Sequence, residues 1–87
     1  MELDKNKKIK LKFGDKPFGS IDSFIVDQDG NPIATMFRNT DLWGYRLMFH
    51  LDKTIDPPHI SCVQEGMMVV RILLRERGYD VFDLLGN

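Results

Sequence analysis

The stretch that decides how this chain folds is Ile21-Asp22-Ser23-Phe24-Ile25-Val26-Asp27-Gln28-Asp29-Gly30-Asn31-Pro32-Ile33-Ala34-Thr35-Met36-Phe37-Arg38. Two apolar runs flank Asp29-Gly30, and an Asp-Gly pair between such runs is the strongest short-range signal for a β-hairpin. With Asp29 and Gly30 as the two turn residues, Val26 faces Ile33, Phe24 faces Thr35 and Asp22 faces Phe37. One face of the hairpin then carries Phe24, Val26, Ile33 and Phe37, and this face is assigned to the core. Pro32 falls opposite Asp27 in a non-hydrogen-bonded pair, where its missing N–H costs the ladder nothing.

On the C-terminal side, residues 39–42 form a second turn. Trp43, Tyr45, Leu47, Phe49 and Leu51 then alternate with Gly44, Arg46, Met48, His50 and Asp52. Strict period two predicts a strand over residues 43–51 with Trp43 and Tyr45 turned to the core. On the N-terminal side, Ile9, Leu11 and Phe13 alternate with Lys8, Lys10 and Lys12, which reads as a half-solvated strand protected by its lysines. Residues 14–20, with Pro17 and Gly19, read as a loop, and residues 1–7 as a mobile polar terminus.

Beyond the strands lies one helix. Its start is signalled twice: Asp56 as cap with Pro57 in the first helical position, or Ser61 as cap with Gln64 completing a capping box. Ile60, Val63, Met67, Val70 and Leu74 form one stripe at helical spacing, widened by Met68 and Leu73. Arg77 ends the helix, Gly78 supplies the left-handed cap residue, and Tyr79 falls where a Schellman motif places its apolar contact. In the tail, Asp80 followed by Val81, Leu84 and Leu85 fits a short helix. The fold class is therefore α+β: a single domain over residues 1–87, with a small antiparallel β-meander of three to four strands, one long C-terminal α-helix packed on one face, and a short terminal helix.

Composition narrows the function. Apolar residues are 43% and charged residues 29% of the 87, a globular balance with room for one core. A net charge of −1 supplies no bulk attraction to phosphate or anionic lipid. The lone Cys62 allows no intrachain disulfide, and the N-terminus has no apolar leader segment, so a cytoplasmic protein that neither spans nor binds a membrane is expected.

Three groups of residues can be read as sites: a metal-ligand set that includes a Cys–His pair, a basic set, and an apolar sheet face. His50, Asp52, Asp56, His59 and Cys62 include metal-ligand types, but their spacing is irregular and each has a structural role open to it, so no metal or cofactor is expected. Cys62 with His59 lacks the small-residue elbow and pocket that a nucleophile needs, so no enzymatic activity is expected. Lys8, Lys10 and Lys12, with Arg71, Arg75 and Arg77, form the basic set on which an alternative nucleic-acid-binding reading rests. The third group decides the expectation. Ile21, Ile25, Ala34, Met36 and Met48 leave the second sheet face apolar, and Ile21, Ile25, Met36, Arg46 and Met48 mark a protein interface on it. The chain is thus expected to be a small protein-binding or regulatory module that contacts another protein or a second copy of itself.

Overall fold

The computed structural model describes residues 5–15, 22–38 and 43–83. Strands β1 (Lys12–Phe13), β2 (Ser23–Val26), β3 (Pro32–Arg38), β4 (Tyr45–Phe49) and β5 (His59–Ile60) form one antiparallel sheet in chain order, and helix α1 (Val63–Glu76) packs on it. The α+β meander is as expected, but it has five strands where three to four were expected.

The hairpin forms where the Asp-Gly signal put it, through a different turn. The buried Asp27 carboxylate organises it: Oδ1 accepts the N–H groups of Asp29 (2.9 Å) and Asn31 (2.8 Å), and Oδ2 accepts the Asn31 side-chain amide (2.9 Å). Gly30 donates its N–H to the Asp27 carbonyl (3.1 Å) and has φ +82°, a conformation that costs glycine nothing. Asp27 in turn donates to the Asn31 carbonyl (3.1 Å), so the loop is three residues long, a turn followed by a left-handed glycine, not two. Phe24 faces Thr35 as expected, while a register shift between Ile25 and Val26 sets Val26 against Pro32.

Which sheet face is the core follows from the cross-strand rows. Ile25, Ala34 and Phe49 form one row, and Ser23, Met36 and Leu47 the next, all buried. Helix residues Gly66, Met67, Val70 and Leu74 close over this face. Burying side chains of this size stabilises by about 1.5–3 kcal/mol each. The helix sits so close that a Cβ on Gly66 would stand 2.3 Å from Met36 Sδ and 2.7 Å from Ile60 Cδ1. The expected core face is therefore corrected: Phe24, Val26 and Phe37 are only half-buried, and of that set Ile33 alone belongs to the core cluster.

The extra strand arises at the prolines. The residue before a proline is driven out of the helical region, so Asp56-Pro57-Pro58 stays extended. The Pro58 carbonyl accepts the Leu47 N–H (3.1 Å), and Ile60 pairs with Tyr45. The helix consequently starts at Val63 with Cys62 as its cap residue, later than either expected start at Asp56 or Ser61. Ser61 still serves it, donating its N–H (2.9 Å) and its hydroxyl to Glu65 Oε2. The other end matches expectation: Tyr79 N–H reaches the Leu74 carbonyl (3.1 Å), Gly78 N–H reaches that of Arg75 (3.0 Å), and Gly78 has φ +88°.

Past the helix, Val81 forms a parallel bridge with Ile9, through Ile9 N–H to the Asp80 carbonyl (2.8 Å) and Phe82 N–H to the Ile9 carbonyl (3.0 Å). The described tail is thus extended where a short helix was expected, and Leu84 and Leu85 lie outside the described residues. Asp27→Ala leaves two turn N–H groups without their acceptor, so it is expected to lower stability by about 1–3 kcal/mol in urea unfolding, with Asp27→Asn losing less.

Candidate functional site

The sheet face turned away from α1 carries the rows Phe24–Thr35–Met48 and Phe37–Arg46–His59. Toward the hairpin turn it opens into a concavity of ≈ 440 Å³ lined by Lys12, Phe13, Gly14, Asp15, Phe24, Val26, Gly30 and Pro32; Lys12 is the β1 residue in the Val26 row of this face, while Phe13 pairs with Ile25 at the sheet's edge. Phe13 is 38% and Met48 41% exposed, which is high for large apolar side chains. Gly14 holds the wall together. Its N–H donates to the Phe24 carbonyl (2.8 Å), and a Cβ there would stand 3.0 Å from a Val26 methyl. Such a surface can accept an apolar side chain.

The five residues expected to mark the interface are not one surface. Ile25 and Met36 are fully buried beneath α1, and only Arg46 and Met48 stand on the open face. Ile21 lies outside the described residues. Sequence reasoning missed Phe24, Val26 and Phe37 as surface residues because both hairpin faces are apolar, and only pairing with β4 shows which one the helix takes. Trp43, expected in the core, precedes β4 and is 92% exposed.

The candidate metal ligands are put to separate uses. His50 Nε2 lies 2.7 Å from Thr35 Oγ1, and burial, then the charge of Lys53, lowers its pKa. His59 must carry its proton on Nε2, because that nitrogen bonds the Trp43 carbonyl. Cys62 is an exposed thiol at the helix start. Asp52 Oδ2 accepts from Arg77 (2.8 Å) and Oδ1 from the Thr54 N–H (3.0 Å), and these bonds, Arg77's first, lower its pKa to about 2. Among the described residues, no three His, Cys, Asp or Glu side chains are grouped to hold a metal.

The basic set is likewise spent largely on the fold. Arg71 donates to the Phe82 carbonyl (3.2 Å), Arg75 to the Val81 carbonyl (2.9 Å) and to Asp83, and Arg77 to Asp52 and the Leu73 carbonyl (2.9 Å). These arginines strap the helix to the tail and to the turn after β4. Lys8 lies over the Phe82 ring (4.5 Å), while Lys10 and Lys12 are exposed.

No described helix is long and apolar enough to cross a membrane. Comparison with known proteins finds no matching family model, no matching curated protein and no matching solved structure. The Asp52–Arg77 pair gives a sign-defined test. Because the folded state lowers the Asp52 pKa, the stability it contributes is present above the ordinary Asp value near 4 and is lost as pH falls toward about 2. An NMR titration of the Asp52 carboxyl is expected to show its midpoint near 2, and Arg77→Gln to return it toward the ordinary range.

Proposed function

We propose that this chain is a protein-binding module that acts by direct contact, using the sheet face opposite α1 and without chemistry of its own. The observation that supports this is the open apolar concavity between Phe13, Phe24, Val26 and Pro32, continued across the face by Met48. An apolar surface left open on a domain this small favours association with a partner's apolar side chains. Arg46 and Phe37 extend the surface with the residue types that anchor interfaces. The nucleic-acid alternative is less favoured, because Arg71, Arg75 and Arg77 are engaged within the fold. A cytoplasmic location fits the unpaired thiol of Cys62 and belongs to the same proposal.

A photo-crosslinking residue placed at position 13 or 48 is expected to trap discrete protein adducts in the native cell, with none from exposed position 53. Phe13→Asp and Met48→Asp are expected to leave the unfolding midpoint almost unchanged and to weaken capture of the trapped partner at least about tenfold. Equal trapping from position 53, or capture that nuclease abolishes together with Lys10→Glu and Lys12→Glu, would count against protein binding.

A further inference from the structure

The concavity on the open face lies at the edge of the sheet, where β1 has β2 on one side alone. Gly14 donates its N–H to the Phe24 carbonyl, so by alternation along the antiparallel ladder the N–H and carbonyl of Phe13 point away from β2. No described residue bonds to them. Earlier along the same edge the positions are taken: Ile9 bonds to Asp80 and Phe82 of the tail. The Phe82 carbonyl, the next acceptor in such a parallel ladder, takes Arg71 (3.2 Å), and the pairing goes no further among the described residues. An edge with its backbone groups open is a template for one more strand.

The side chains along this edge describe the strand that fits it. In the row Gly14–Phe24–Thr35–Met48 the glycine leaves the position outside Phe24 empty. A large apolar side chain on an added strand, level with Gly14, would lie across it onto Phe24 and Val26, as aromatic residues do over glycines in sheets. The tail is not that strand, because its register with Ile9, carried on, would bring Gly86 level with Gly14. Lys12 is exposed on the same face and has no ion-pair partner among the described residues, and the exposed Asp15 follows the glycine. Antiparallel pairing is the more stable per residue, and in that direction the complementary segment reads basic, aromatic, any residue, acidic, with its ends level with Asp15 and Lys12.

We propose that the edge of β1 binds its partner by strand addition: an extended segment of that charge pattern pairs with the backbone of Phe13 and lays its aromatic ring over Gly14. This rests on the protein-binding reading of the same face and names the form the partner takes there.

The probe is the peptide Ac-Thr-Lys-Phe-Val-Glu-Val-Thr-amide, titrated into the isotope-labelled full chain up to about 5 mM, a range that reaches the weak affinity of one short strand. Saturable NMR shifts centred on Phe13, Gly14 and Phe24 are expected, with slowed hydrogen exchange at the Phe13 N–H. N-methylation of the valine after the peptide's Phe removes its bond to the Phe13 carbonyl, and replacement of that Phe by Ala empties the concavity; each is expected to weaken binding at least about tenfold. Lys12→Glu, at an exposed position, is expected to weaken binding of the parent peptide and to favour one with Lys in place of its Glu. An N-methylated peptide that binds as well as its parent, no binding up to the highest concentration, or a Phe13 N–H already protected in the free chain, by its own tail or by a second copy, would overturn strand addition. Cross-linked adducts from position 13 obtained beside any of these results separate the failure of strand addition from that of protein binding.

Discussion

The seat of α1 on β3 is the contact on which the other features depend. Gly66 lets the helix backbone come down onto Met36 and Ile60, and no larger residue fits there without displacing one of them. Once that seat is taken, the row Ser23–Met36–Leu47 and the row Ile25–Ala34–Phe49 are committed to the interior. Alternation along each strand then forces Phe24, Thr35, Phe37, Arg46 and Met48 to the other face. The helix side opposite Gly66 and Val70 is fixed by the same contact, and this is where Met68 and Ile72 meet solvent. The open sheet face and the exposed side of α1 are thus consequences of one packing choice.

The place of the hairpin and the apolar stripe of the helix are legible in the sequence because their signals act over a few residues, although the hairpin loop has three residues where two were expected. The Asp-Gly turn, the Phe24–Thr35 register, the stripe of Met67, Val70 and Leu74, and the cap at Gly78 all rest on contacts within one hairpin or one helix. What was not legible rests on contacts far apart in sequence. The two hairpin faces are nearly equal in apolar content, so the choice between them falls to the pairing of β3 with β4 and to the helix. The strand at His59–Ile60 needs Tyr45 and Arg46 as partners, and its own residues resemble a helix start. The proposed site was half legible for the same reason: Arg46 and Met48 were named with the buried Ile25 and Met36, while Phe13 and Phe24 were not.

The ionisable residues show the same division. Asp52, His50 and His59 look like a cluster when read along the chain. In the fold their partners lie 25, 15 and 16 residues away, at Arg77, Thr35 and the Trp43 carbonyl, and each bond ties one element to another. Arg71 and Arg75 do this for the tail, whose bridge between Val81 and Ile9 brings the two ends of the described chain together. Polar groups committed in this way stabilise a chain whose single small core leaves little margin. They also leave recognition to the apolar surfaces.

Two methionines on adjacent strands report which face of the sheet the helix covers. Met36 is fully buried against Gly66, whereas Met48, in the opposite face of the same sheet, is 41% exposed. Urea unfolding of Met36→Ala and Met48→Ala compares them with the same chemical change. Met36→Ala is expected to lose about 2–5 kcal/mol and Met48→Ala to change by no more than about 0.5 kcal/mol. Equal losses, or a larger loss at Met48, would contradict a helix seated on the Met36 face.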